Sequence, residues 1–213
     1  MKLGYSFQGP RRGADRAVLL AHGAGADRRA PTLRAVATAL KDAGIPNLRF
    51  DYPYRVAGKK APDSQKVLRA ATREAAASLG RRTDLPPDRL VLGGRSMGGR
   101  YTSLIVGDED DPVPARGLLL LGYPLHAAGR PEKKRADHFG RLDLPVLFAS
   151  GTRDSLAGRA DLTRAAKKIS GPVEFVWLES ADHGFRPLKS SGRTIDDVNA
   201  EVADAAVRWV QSL

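Results

Sequence analysis

Three features of the sequence predict an α/β fold: a mostly parallel, twisted sheet with helices on both faces. Short unbroken apolar runs recur, as in AVLLA (Ala17–Ala21), LLLL (Leu118–Leu121) and VLFA (Val146–Ala149), and such runs belong to strands covered on both sides. Segments with apolar residues at helical spacing lie between them. Strand and helix therefore alternate, and units of this kind wind right-handed into parallel sheets. Each run also stops at a loop rich in glycine or proline (HGAGAD, GGRSMGG, GYP, SGTRD), as expected where a strand gives way to a turn.

Taken in order, Leu3–Phe7 is a short strand, followed by the polar turn Gly9–Gly13 and the buried strand Ala17–Ala21. The loop His22–Asp27 leads to a helix with Leu33, Val36, Ala37 and Leu40 on one face, stopping at Gly44 before Pro46. Leu48–Tyr52 is a strand and Pro53–Pro62 a loop. Asp63 or Ser64 caps the helix Gln65–Leu79. Beyond the proline-bearing hinge Asp84–Asp88 come the strand Leu90–Gly93, a helix through Val106, and an acidic loop, Asp108–Pro114. The strand Leu118–Leu121 is followed by a basic connection (His126–Arg141) and the strand Val146–Ala149. A helix over Leu156–Lys168, the strand Val173–Leu178 and a closing helix Thr194–Val210 complete the chain. That last helix presents Ile195, Val198, Val202, Ala206 and Val210 at helical spacing.

At 213 residues, with no repeat, low-complexity tract or linker, residues 1–213 are expected to form one domain with a full core. No apolar run reaches the length of a membrane span, and the N-terminus lacks a signal-peptide core, so a cytoplasmic protein is expected. The absence of cysteine excludes disulfides, cysteine nucleophiles and thiolate metal sites. The net charge of +11 raises the question of nucleic acid. The basic residues, however, are scattered pairs (Arg11-Arg12, Arg28-Arg29, Lys59-Lys60, Arg81-Arg82, Lys133-Lys134, Lys167-Lys168) interspersed with acids. This pattern reads as a solvated surface, and neither nucleic acid nor a membrane is an expected partner.

The chemistry concentrates at Gly94-Arg95-Ser96-Met97-Gly98, the G-x-S-x-G spacing of a nucleophile elbow. Such a turn needs glycine on either side of a strained serine, because side chains there would strike the neighbouring strand or helix. The Met97 amide, at the new helix N-terminus, points to where an oxyanion forms. Two further strand ends carry Asp154 and His183, and chemistry in an open parallel sheet gathers beyond those ends. Ser, Asp, His is the chain order of hydrolase triads. Acyl transfer calls for these residue types. A serine hydroxyl needs a base, an imidazole accepts and returns the proton, and a carboxylate fixes the imidazole. Asp182 is a rival acid, although a neighbour of His183 is poorly placed to reach its Nδ1. His126, His138 and His22 are rival bases, of which His22 reads as a loop-fixing residue. The glycine loop His22–Gly25 offers a second oxyanion donor, the Ala24 amide.

Six blocks together, AHGAGAD, LRFDYPYR, LGGRSMGGR, LGYPLH, PVLFASGTRD and ADHGF, resemble a small α/β-hydrolase family related to dienelactone hydrolases. Animal members of that family include a testis-expressed protein and a subunit of a non-specific-lethal chromatin complex. The resemblance runs from about Val18 to the closing helix. It implies the α/β-hydrolase fold, a triad of Ser96, Asp154 and His183, and an oxyanion site in the AHGAG loop. Dienelactone hydrolases proper use a cysteine nucleophile, which this chain lacks.

The polar stretch between Tyr123 and Leu144 is too short for a helical lid, so an open cleft is expected, lined by Tyr52, Tyr54, Arg55 and Tyr123. Arg55, Lys59 and Lys60 offer charge for an acidic substrate group, though a solvated loop is the preferred reading of them. Arg95 and Arg100 are expected to form ion pairs with loop carboxylates. The resulting expectation is a serine hydrolase of small or extended acyl substrates, needing no cofactor or metal. A hydrolase-fold binding or scaffold protein with little turnover is the alternative. The sequence leaves the oligomeric state open.

Overall fold

A computed structural model describes residues 1–213. Its seven strands are β1 (Gly4–Gln8), β2 (Ala17–Ala21), β3 (Asn47–Asp51), β4 (Leu90–Arg95), β5 (Gly117–Leu121), β6 (Val146–Gly151) and β7 (Val173–Leu178). They form one sheet in the order β1-β3-β2-β4-β5-β6-β7. Only β1 runs antiparallel, pairing with β3 on the outer edge, while every other pair is parallel. The six helices are α1 (Pro31–Asp42), α2 (Pro53–Val56), α3 (Gln65–Thr83), α4 (Met97–Val106), α5 (Arg159–Ala166) and α6 (Ile195–Ser212).

The two-residue period of a strand splits each apolar run between two cores. Leu90, Leu92, Leu118 and Leu120 face a core closed by α3, α4 and α5. Val91, Leu119 and Leu121 face a second core, closed by α1 and α6. Both faces are covered, which is why the runs need no polar alternation. Strand order reverses at β2, whose neighbours are β3 and β4. A crevice opens beyond the carboxyl ends of strands at such a switch point. The loop His22–Gly25 after β2 and the turn at Ser96 between β4 and α4 lie there.

Several elements depart from the sequence reading. Within the expected loop 53–62, Pro53 at the first helical position starts the single turn α2. Ser64 caps α3, its hydroxyl accepting from the Val67 amide, while Asp63 accepts from the Tyr54 amide at 2.9 Å. Helix α3 runs on to Thr83 and ends on Asp84 in the left-handed conformation, φ 57°. Helix α5 begins only at Arg159, after Gly158, because Asp154 draws the preceding residues into a turn by accepting from the Leu156 amide. In α6 the buried stripe is Val198, Val202, Ala206, Trp209 and Val210; Ile195, at the first turn, is 40% exposed. The connection from β5 to β6 holds only a short 3₁₀ turn, Asp137–Arg141, and no lid helix. No helix is long and apolar enough to cross a membrane.

Candidate active site

Ser96 occupies the tip of the β4–α4 turn with φ 50° and ψ −114°, a conformation that L-residues rarely hold. The packing around it explains the strain. A Cβ on Gly94 or on Gly98 would collide with the backbone carbonyl of Ala21 in β2, so both glycines let the turn press against the adjacent strand. Ser96 Oγ lies 2.9 Å from Nε2 of His183. Nδ1 of the same ring lies 2.9 and 3.0 Å from the two carboxylate oxygens of Asp154. The Asp154 carboxylate is fully buried and also accepts from the Leu156 amide at 2.8 Å. Three strand ends thus bring together the hydroxyl, imidazole and carboxylate singled out in the sequence.

The loop bearing His183 is braced at both ends. Ser180 and Phe185 adopt positive φ, 62° and 63°, and the Arg153 amide donates to the Ala181 carbonyl at 2.9 Å. Asp182 turns away from the ring. Its Oδ1 accepts from the Arg186 amide at 2.9 Å, so it shapes the loop and does not reach His183 Nδ1. Arg95 departs from expectation by forming no ion pair. Its guanidinium sits 4.1 Å from the centroid of the Phe185 ring and donates to the carbonyls of Leu121 and Gly122 at 3.2 and 3.4 Å. Burial pulls its pKa down to about 10, with Asp154 and Asp182 opposing the shift. It clamps the histidine loop to the end of β5.

His22 fixes the glycine loop. Its Nδ1 lies 2.8 Å from the Gly23 carbonyl, and its Nε2 accepts from the Tyr52 amide at 3.3 Å. An Nε2 that accepts requires the proton on Nδ1, and burial lowers this imidazole's pKa further. The amides of Ala24 and Met97 have no protein acceptor, and both residues line one cleft with Ser96. The arrangement sets a hydroxyl, an imidazole, a buried carboxylate and two free backbone donors around one cleft.

A family model described as an alpha/beta hydrolase domain matches residues 14–211. The chain belongs to this α/β-hydrolase family. An uncharacterized protein of Mycobacterium tuberculosis is 26% identical over 226 residues, spanning 96% of this chain and 75% of the relative. Among solved structures, dienelactone hydrolase from Anabaena variabilis is 20% identical with a TM-score of 0.72, covering 100% of this chain and 92% of its own. An alpha-beta serine hydrolase homologue from Coxiella burnetii has the same TM-score at 17% identity, covering 97% and 90%. At these identities the two structures establish a shared fold.

The cleft of this α/β hydrolase differs from the sequence expectation in its lining. Its volume is about 360 Å³, and its walls include Ala24, Pro62, Met97, Arg100, Tyr101, Pro124, His126, Arg135 and Leu156. Tyr52, Tyr54 and Tyr123 are fully buried instead. Tyr52 and Tyr54 pack edge-on against His22, with centroids 5.0 and 5.9 Å away, and so support the glycine loop from behind. Tyr52 shares a hydrogen bond with Thr72, while Tyr123 donates to the Arg135 carbonyl. Arg55 holds its own loop, donating to the Lys59 carbonyl at 3.0 Å, and lies outside the cleft wall. Aromatic residues at strand ends turn into whichever core has room for them, and that depends on the opposing helices. In the sequence, Arg135 is marked only by the basic composition of its connection. His126, there only a rival base, lines the cleft wall.

Proposed function

We propose that this α/β hydrolase is a serine hydrolase of ester-type acyl bonds, most simply a carboxylesterase, with residues 1–213 acting as one catalytic domain. The observation that carries the proposal is the continuous line from Ser96 Oγ through His183 to Asp154, with contacts of 2.9 to 3.0 Å. In the reaction, Ser96 Oγ attacks the acyl carbon while His183 Nε2 takes its proton. Asp154 holds the Nδ1–H tautomer and stabilises the imidazolium. The amides of Ala24 and Met97 donate to the carbonyl oxygen as it becomes an oxyanion; one such donor is worth about 3 kcal/mol of transition-state stabilisation. Collapse of the tetrahedral intermediate expels the alcohol, which takes the proton from His183 and leaves an acyl-Ser96 ester. Water, deprotonated by the same histidine, attacks that ester and releases the acid. No step calls for a metal or cofactor.

The lidless connection after β5 and the modest cleft favour small or extended acyl groups. The serine hydrolase homologue of like fold supports the same class of chemistry. A fluorophosphonate probe tests the proposal: the wild-type chain is expected to be labelled and Ser96→Ala to remain unlabelled. Absence of wild-type labelling, or labelling that survives in Ser96→Ala, overturns it and leaves a hydrolase-fold binding protein. Esters from acetyl to butyryl are expected to turn over faster than lauroyl esters.

A further inference from the structure

The cleft that holds Ser96 also holds two guanidinium groups without a carboxylate partner, Arg100 and Arg135. Arg100 lies in the first turn of α4, its amide donating to the Ser96 carbonyl at 3.0 Å, and it lines the same cleft as Ser96. Its guanidinium rests 5.3 Å from the centroid of the Tyr101 ring, and its buried Nε finds no hydrogen-bond acceptor. Arg135 comes from the connection after β5. Its backbone is anchored at both ends: its amide donates to Leu125 at 2.7 Å, and its carbonyl accepts from Tyr123 at 2.5 Å.

Elsewhere in the molecule, buried and partly buried arginines find acceptors: Arg49 donates to the Arg28 carbonyl and the Gln8 side chain, Arg95 donates to the Leu121 and Gly122 carbonyls, and others pair with acids. Arg28 pairs with Asp51, Arg69 and Arg73 with Asp108, and Arg193 with Glu201. Asp63 is the one carboxylate in the cleft wall; it is engaged by the Tyr54 amide and forms no ion pair. His126 adds an imidazole there. Its Nδ1 lies 2.9 Å from the Ala127 carbonyl, and its Nε2 has no protein partner. Burial, followed by the neighbouring Arg100 charge, lowers the Arg135 pKa, the direction that both effects favour for a cation. Desolvated, unpaired cations destabilise a fold unless an anion is received there.

We propose that the cleft takes acyl substrates bearing a carboxylate a few bonds from the scissile carbonyl, with Arg100 and Arg135 receiving that carboxylate. Short dicarboxylic half-esters have this shape. The inference rests on the serine hydrolase reading, since it names the substrate class for the same site. The guanidinium fork presents paired N–H donors to a carboxylate, and the cleft of about 360 Å³ that Ser96 shares with both arginines limits the spacer to a few methylenes.

The test compares kcat/KM for the p-nitrophenyl ester of glutarate with that for its methyl-capped neutral counterpart. Wild type is expected to favour the anionic ester by about tenfold or more, and Arg135→Gln or Arg100→Gln to lower that ratio by roughly ten- to a hundredfold. Arg135→Lys is expected to keep part of the preference. Arg12→Gln, a remote charge change, is expected to leave the ratio unchanged, which separates local recognition from the general field of a basic protein. In parallel, calorimetry on Ser96→Ala is expected to detect glutarate binding that disappears when Arg135→Gln is added. A wild-type ratio at or below one, or one insensitive to Arg135→Gln, overturns the proposal even where fluorophosphonate labelling is normal. Arginine-dependent glutarate binding without labelling or turnover would instead overturn the serine hydrolase reading and leave the anion site standing.

Discussion

At the scale of single residues, the site depends on how little freedom each neighbour leaves. Ser96 is held in its strained conformation because the turn is wedged between the Ala21 carbonyl and the start of α4. His183 is oriented through Nδ1 by a carboxylate that no water reaches. Replacing that carboxylate with an amide removes the charge opposite the imidazolium and admits the wrong ring tautomer. Asp154→Asn is therefore expected to reduce kcat on a simple ester by about 10⁴-fold with little change in fold, checked by steady-state kinetics beside circular dichroism. A fall of less than tenfold would remove Asp154 from the role assigned to it. Asp182, its neighbour-in-sequence rival, is spoken for by the Arg186 amide.

At the scale of elements, each helix has its own means of starting and stopping. The closing helix α6 uses a capping box. The Thr194 side chain accepts from the Asp197 amide at 3.1 Å, while Asp197 accepts from the Thr194 amide at 2.7 Å. This reciprocal pair satisfies two donors that would otherwise lack partners. Helix α6 packs Val198, Val202, Ala206 and Trp209 into the second core, so its first turn also positions the segment that follows the His183 loop. Thr194→Ala is expected to cost about 1 kcal/mol in chemical denaturation, with an unchanged denaturant slope. Ile195, exposed beside it, is expected to tolerate a polar residue.

At the scale of the whole molecule, acid sensitivity is written into His138, a buried histidine distinct from His183. The Ser103 hydroxyl donates to the Arg100 carbonyl at 2.9 Å, so the His138 Nε2, 2.8 Å from that oxygen, must carry the proton and donate. Burial, reinforced by Arg100, Arg141 and Arg69, pushes this imidazole down to about 4 from an ordinary 6.5. The unfolded chain therefore binds the extra proton first. The stability due to neutral His138 is complete above about pH 6.5 and drains away as the pH falls toward 4, a loss of up to roughly 3 kcal/mol. Denaturation of His138→Gln, which keeps a donor but does not titrate, is expected to show a shallower decline over that interval than wild type. Parallel curves would exclude His138 as the source. The net charge of +11 adds a general self-repulsion that both proteins share.

By itself the sequence determined the layered class, the extents of β2 and β7, and the three residues that meet at the sheet edge. Those properties are local: an unbroken apolar run, a glycine pair around a serine, and the order of polar residues at successive strand ends. What lines the cleft was decided only by tertiary structure. Tyr52 and Tyr123 carry polar tips that suit a pocket wall as well as a core, and only the space left under α3 and the β5–β6 connection drew them inward. Arg95, surrounded by glycines in sequence, found an aromatic face and carbonyls instead of an acid. Arg100 and Arg135 lie far apart in the chain and share a cleft because the connection after β5 folds back over α4. Distance along the chain carries no record of such a meeting, which arises from the way the loops close over a packed sheet.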